Sequence, residues 1–223
     1  MSKKLECIKK GCALNDKIFL EAVKKIKQKE LRTEKQVANF VDSEFSKAGA
    51  KNAFPTIVAS GKHAVEWHWE PKNSKLLNGF CVIDFGSRFS GYCSDMTRTI
   101  HIGKASKTDK RLYSLVKKTQ EKCIKQINAG KEGNDIYLLA KKSLGAYADY
   151  FGHGLGHGLT TLIHANPRIS KNKAKLMDGD IVTIEPGIYI PNVLGIRIED
   201  DILVKKSGFA VLSNSTKKLI EIK

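Results

Sequence analysis

The chain runs to 223 residues with 41% hydrophobic content, enough to build a sizeable core, which excludes a wholly disordered polypeptide. A net charge of +16 points toward anionic partners such as nucleic acid or the ribosome, but the lysines are scattered through helical stretches such as Lys24-Lys25-Ile26-Lys27, so the charge reads as a solvated surface. No run approaches the roughly 18 apolar residues of a membrane span, Met1 to Glu6 carry no secretory leader pattern, and five irregularly spaced cysteines favour reduced thiols over a disulfide framework, so a cytoplasmic protein is expected.

Ile18, Phe19, Ala22, Val23 and Ile26 recur near the helical period and predict an amphipathic helix over residues 16–28. Thr33-Glu34-Lys35-Gln36 fits a capping box, and Val37, Phe40, Val41 and Phe45 form the stripe of a second helix that Gly49 ends. The pattern then shortens. Apolar runs at 56–59 and 80–83, bounded by Pro55, Gly61, Gly79 and Gly86, predict strands. Helical periodicity returns over residues 109–129 and 134–144, and the last third reads as strands at 181–184, 187–190, 196–204 and 209–212. Helices then strands, twice over and without a linker, predict an α+β protein whose two halves pack as one domain over residues 1–223.

The informative anomalies are carboxylates where apolar strands should be buried. Asp84 follows Phe80-Cys81-Val82-Ile83, Glu185 follows Ile181-Val182-Thr183-Ile184, and Glu199 lies between Ile198 and Asp200. A buried ionised carboxylate costs several kcal/mol unless it is paired or bound to metal. Singly, each has a plain explanation as a strand end reaching water. Together with Asp95 and the run Gly152-His153-Gly154-Leu155-Gly156-His157-Gly158, they point to a pair of divalent ions whose charge bridging carboxylates offset. That run fits neither a dinucleotide loop, because its glycines alternate strictly, nor a zinc-protease helix, because no Glu lies between the histidines and glycines disfavour helix.

Asp84, Asp95, His157, Glu185 and Glu199 stand in the order and local context of the five metal ligands of the pita-bread metallopeptidases. The matching segments are Val82-Ile83-Asp84-Phe85-Gly86, Ser94-Asp95-Met96-Thr97-Arg98-Thr99, Gly156-His157-Gly158-Leu159, Thr183-Ile184-Glu185-Pro186-Gly187 and Ile196-Arg197-Ile198-Glu199-Asp200. The chain resembles that family from about Thr33 to Val204. The resemblance implies two pseudo-symmetric α+β halves around a curved antiparallel sheet. It also implies two divalent metal ions, Mn or Co ahead of Zn or Fe, with Asp95 and Glu199 bridging, Asp84 on one ion and His157 and Glu185 on the other. Glu185 is then a proton carrier, His68 and His164 are catalytic histidines, His164 polarising the peptide carbonyl, and His68, His164 and Arg168 hold the peptide substrate. His63, His101 and His153 read as structural, with His153 close behind the site. Arg197, two residues before Glu199, shares its strand face and is placed to neutralise a ligand carboxylate.

Glu199 follows Glu185 by 14 positions, which resembles the Xaa-Pro peptidases; methionine aminopeptidases place a longer segment there. The resemblance therefore implies an Xaa-Pro aminopeptidase-like exopeptidase, with an Xaa-Pro dipeptidase and a methionine aminopeptidase as alternatives and a pita-bread peptide-binding module as the non-enzymatic one. Thr160-Thr161 and Ala165 depart from the family pattern around His164, which leaves substrate preference open. No separate N-terminal domain is read in the sequence, which leaves aminopeptidase against dipeptidase open, and a homodimer is an expectation drawn from relatives.

Overall fold

The computed structural model describes residues 2–223. Ser2 caps the first helix, α1 (Lys3–Lys27), by accepting from the Leu5 amide. The helix starts well before the predicted residue 16, because its first half buries Cys7, Ile8, Gly11, Cys12 and Asn15, a face on which Ile8 is the one aliphatic side chain and no apolar period shows. The capping box of α2 (Glu34–Lys47) forms as predicted, Thr33 and Gln36 each satisfying the other's backbone amide. Strands β1 (Lys51–Asn52), β2 (Ile57–Ser60), β3 (Gly79–Phe85), β4 (Ser87–Phe89), β5 (Tyr92–Cys93) and β6 (Met96–Ile102) follow, with a short 3-10 helix at Gly61–Val65. Helices α3 (Lys107–Ile124) and α4 (Gly133–Leu144) open the second half. It continues through β7 (Gly156–Gly158), β8 (Ala165–Ile169), β9 (Ile181–Ile184), β10 (Gly187–Ile190), β11 (Leu194–Arg197), β12 (Asp200–Val204) and β13 (Phe209–Val211), after which β14 (Glu221–Ile222) returns to pair in parallel with β6 of the first half.

Each half is a helix pair laid on a sheet. In the first, Ile18, Phe19 and Val23 of α1 and Val37, Val41 and Phe45 of α2 pack on Val58, Ile83, Phe85 and Ile100 of the sheet ordered β14-β6-β3-β2. In the second, Leu112, Val116, Ile136 and Ala140 of α3 and α4 pack on Val182, Ile184 and Ile202 of the sheet ordered β13-β12-β9-β7-β8. Burying an aliphatic side chain of this size contributes about 1.5–3 kcal/mol, so these two clusters carry most of the driving force for folding.

The single strand predicted over 196–204 is instead β11 and β12, which belong to different sheets. The break falls at Ile198-Glu199, where the two halves meet. There the Glu199 amide donates to the Thr97 carbonyl at 3.1 Å, and Thr99 Oγ1 donates to the Arg197 carbonyl at 2.7 Å. β6, absent from the predicted strands because its residues are largely polar, thus forms one side of the seam. No helix among the described residues is long and apolar enough to cross a membrane, and all five cysteines are free and buried.

Candidate metal centre

The seam opens into a cavity of about 500 Å³, with Asp84, Asp95, Glu185 and Glu199 on its walls. Each is delivered by backbone that register fixes: Asp84 on β3 opposite Thr97 of β6, Asp95 immediately before β6, Glu185 immediately after β9, and Glu199 between β11 and β12. His157 sits on β7, threaded between β8 and β9. Its flanking glycines are a packing requirement, since a Cβ on Gly156 would lie 1.9 Å from the Thr183 carbonyl oxygen and one on Gly158 2.1 Å from that of Asn166.

One ligand atom from each of Asp95, His157 and Glu199 lies within 4.8 Å of the others. His157 Nε2 is 3.6 Å from Asp95 Oδ2 and 3.4 Å from Glu185 Oε1. Its Nδ1 lies 3.3 Å from the Gly158 carbonyl, which can only accept, so Nδ1 carries the proton and Nε2 turns a lone pair toward the carboxylates. Burial, then the neighbouring His164, lowers the imidazole to about 3, so it is neutral. Burial first, and then the other carboxylates, pushes Asp95 and Glu199 well above the usual carboxylate range, and burial pushes Glu185 up to about 8. Asp84 Oδ1 and Asp95 Oδ1 are buried with no protein partner. A neutral imidazole lone pair, crowded carboxylates and orphaned buried oxygens form a donor set that fits divalent cations.

Neighbouring groups fix the orientation of these carboxylates. Arg197 donates Nη2 to Asp84 Oδ2 at 2.6 Å, Nε to Thr97 Oγ1 at 3.1 Å and Nη1 to the Tyr189 hydroxyl at 2.7 Å. Tyr189 in turn donates to His153 Nε2 at 2.9 Å, while His153 Nδ1 donates to the Gly154 carbonyl at 2.7 Å. Thr97 Oγ1 donates to Glu199 Oε2 at 2.6 Å. Thr183 Oγ1 accepts from the His157 amide at 3.1 Å and donates to Glu185 Oε1 at 3.2 Å. Asp201, which sequence reasoning did not single out, accepts the Asp95 amide at 3.0 Å and the Cys12 thiol at 3.2 Å, with burial raising its own carboxyl to about 8.

His68 and His164 line the same cavity, and the His164 ring stands at 89° to that of His157 with centroids 4.6 Å apart. Arg168 lies elsewhere: it pairs across β7 with His157 and donates Nη2 to the His164 carbonyl at 2.7 Å, and it does not line the cavity. Sequence reasoning missed the apolar rim of Phe54, Pro55, Trp67, Trp69 and Pro71. The closeness of both tryptophans to His68 is the signal that could have found it.

A model of metallopeptidase family M24 matches residues 6–206. An uncharacterized peptidase of Staphylococcus epidermidis is 41% identical over 215 residues, 94% of this chain and 61% of that relative. The Xaa-Pro dipeptidase of Pyrococcus horikoshii is 35% identical over 223 residues, 98% of this chain and 63% of the relative. The crystal structure of an X-Pro aminopeptidase from Thermotoga maritima superposes with a TM-score of 0.93 at 34% identity, covering 98% of this chain and 63% of that one. This chain therefore spans a little over three-fifths of the length of these relatives. The two helix-on-sheet halves are the pita-bread fold, and the matched family model, the curated relatives and the superposed structure agree that the chain belongs to metallopeptidase family M24.

Proposed function

We propose that the protein is a metal-dependent exopeptidase that hydrolyses the bond between an N-terminal residue and proline, in the Xaa-Pro dipeptidase form. The observation that carries this reading is the convergence of Asp84, Asp95, His157, Glu185 and Glu199 on one cavity with two orphaned carboxylate oxygens. The likeness to an Xaa-Pro dipeptidase supports the substrate class. The likeness to an X-Pro aminopeptidase structure keeps tripeptides as the second reading.

Those five residues would hold two divalent ions, and the carboxylate-rich set with one imidazole suits Mn or Co. When bound, the ions acidify water and polarise the peptide carbonyl. The chain's own groups do the rest. Glu185, facing the cavity beside His157, would be ionised once bound cations offset the burial that raises its carboxyl, and in that form it takes a proton from the attacking water and returns it to the leaving nitrogen. His164, whose imidazole burial and then Arg168 lower, is neutral near pH 7 and offers its ring N–H to the carbonyl oxygen as charge develops. A proline nitrogen brings no N–H for recognition, so its ring is gripped by shape, which the faces of Trp67 and Phe54 supply, with His68 as the nearby polar contact. Arg168 acts on the substrate side through the His164 backbone. The two halves work as one catalytic unit, because neither contains the full donor set.

The test is hydrolysis of Xaa-Pro dipeptides, Xaa-Pro-Xaa tripeptides and Met-Ala-Ser by chelator-stripped protein reloaded with Mn or Co, with Glu185→Ala as control. Metal-dependent cleavage of Xaa-Pro bonds that disappears in the variant supports the reading, and the dipeptide-to-tripeptide ratio decides the subclass. Cleavage of Met-Ala-Ser alone overturns it.

A further inference from the structure

One buried carboxylate outside the metal centre is saturated with donors, all from a single segment. Glu34, the first residue of α2, is fully buried. Its Oε1 accepts from the Ser60 amide at 2.8 Å, Ser60 Oγ at 2.7 Å and His63 Nδ1 at 2.9 Å. Its Oε2 accepts from Trp69 Nε1 at 2.9 Å and the Lys72 amide at 3.2 Å. These donors bracket residues 60–72, the strap that carries Trp67 and His68 into the cavity.

The attachment is reciprocal. The Lys35 amide, one of the orphan donors at the start of α2, is satisfied by the Lys72 carbonyl at 3.0 Å, and the Leu76 amide returns to the Arg32 carbonyl at 2.8 Å. His63 stacks on Trp69 with centroids 4.0 Å apart and planes at 20°, so the two side-chain donors also brace each other. On the opposite face Trp67 meets His153 edge-on at 5.2 Å and packs by Tyr189 at 5.8 Å. The strap is therefore held from behind by one carboxylate and presses in front on the groups that orient Asp84.

We propose that Glu34 is a positioning residue for the substrate-binding wall: its carboxylate clamps the 60–72 strap and thereby sets where Trp67 and His68 stand in the cavity. This rests on the peptidase reading for its consequence but not for its geometry. A carboxylate is required chemically. Three donors that cannot reverse, the Ser60 and Lys72 amides and the Trp69 indole, are spread over both oxygens, so a glutamine must turn its NH2 group toward at least one of them. Burial alone would raise the Glu34 carboxyl, yet the bonds from His63, Trp69 and Ser60 outweigh it and hold the group below its ordinary range.

The chain has two tryptophans, and both lie on this strap, so intrinsic fluorescence reports the strap alone. The experiment compares wild type with Glu34→Gln for secondary structure, uptake of Mn, acrylamide quenching of fluorescence, and KM and kcat on an Xaa-Pro dipeptide. A loosened strap gives quenching raised by about 2-fold and KM raised by roughly 10-fold, with kcat within about 3-fold and Mn uptake unchanged. Unchanged quenching and unchanged KM in a folded variant overturn the proposal. A fall in kcat alone also overturns it. If Glu34→Gln fails to fold, Trp69→Phe removes a single bond of the clamp while keeping the ring stacked on His63; raised quenching of the remaining Trp67 supports the proposal and unaltered quenching overturns it. Should wild type show no peptidase activity, the quenching arm still decides the clamp, so failure of the activity and failure of the clamp are distinguishable.

Discussion

Arg98 is 1% exposed, and replacing it with methionine removes every donor it places at the seam between the two halves. Its Nη2 donates to Asp200 Oδ1 at 2.6 Å and to the Ser215 carbonyl at 3.0 Å; its Nη1 donates to the carbonyls of Thr97 and Glu199. Asp200, fully buried, keeps Lys217 at 2.5 Å and Gln120 at 2.9 Å, so half of its compensation survives. Breaking a buried pair from one side costs about 3–5 kcal/mol, mostly through the carboxylate left behind. With a slope of about 3 kcal/mol per molar urea for a chain of this size, Arg98→Met lowers the unfolding midpoint by roughly 1–1.7 M. The double variant Arg98→Met/Asp200→Leu removes the stranded carboxylate while Lys217, 20% exposed, turns to water, so it recovers most of the loss. A single variant that loses under about 1 kcal/mol, or a double variant no better than the single, refutes the reasoning.

Four further outcomes are expected. Gly156→Ala places a methyl 1.9 Å from the Thr183 carbonyl oxygen and spreads β7 from β9; thermal unfolding should show a loss of about 2–4 kcal/mol, and calorimetry a fall in Mn uptake, since His157 is the next residue. Tyr189→Phe deletes the hydroxyl shared by Arg197 and His153, and steady-state kinetics should give a kcat/KM reduced by about 10-fold with a melting temperature little changed. Chelator stripping should lower the melting temperature and Mn should restore it, because the crowded carboxylates are then compensated; a temperature indifferent to metal argues against a site on the cavity. Glu34 titrates below its ordinary 4.5 in the folded state, so its stabilising contribution is fully present above that pH and is lost as pH falls through the lower folded value. Acid titration should therefore show a tryptophan red-shift below about pH 4.5 that Glu34→Gln lacks.

The elements legible in the sequence were those whose buried face is apolar. Val37, Val41 and Phe45 gave α2, and Ile181 to Ile184 gave β9, because burial there is hydrophobic and periodicity reports it. The start of α1 and the whole of β6 escaped because Gly11, Asn15, Thr97, Arg98 and Thr99 are buried through close approach or hydrogen bonds, which leave no hydrophobic period. Of the candidate site, Asp84, Asp95, His157, Glu185 and Glu199 stood out as charges in apolar or glycine-rich surroundings and share one cavity. The role of Arg197 beside a carboxylate was readable from its spacing to Glu199. Position alone does not tell whether the Arg168 side chain turns to the cavity or to a backbone carbonyl; its guanidinium meets the His164 carbonyl, a choice set by the neighbouring loop. Glu34 offered no sign beyond its place in a helix's first turn, because its donors come from residues 60–72.

The seam between the halves also dictates an order of assembly. Asp84 and Asp95 leave the ribosome about a hundred residues before Arg197, Glu199 and Asp201, their partners across the seam. A nascent first half thus exposes an unfinished acidic trough, with α1 and α2 already able to cover β2, β3 and β6 while the edge of β6 waits for β14. Final docking requires contacts of long sequence separation, and such contacts form slowly. The first half is then expected to accumulate as a compact, collapsed intermediate during refolding, and the candidate metal centre to assemble only in the last kinetic phase.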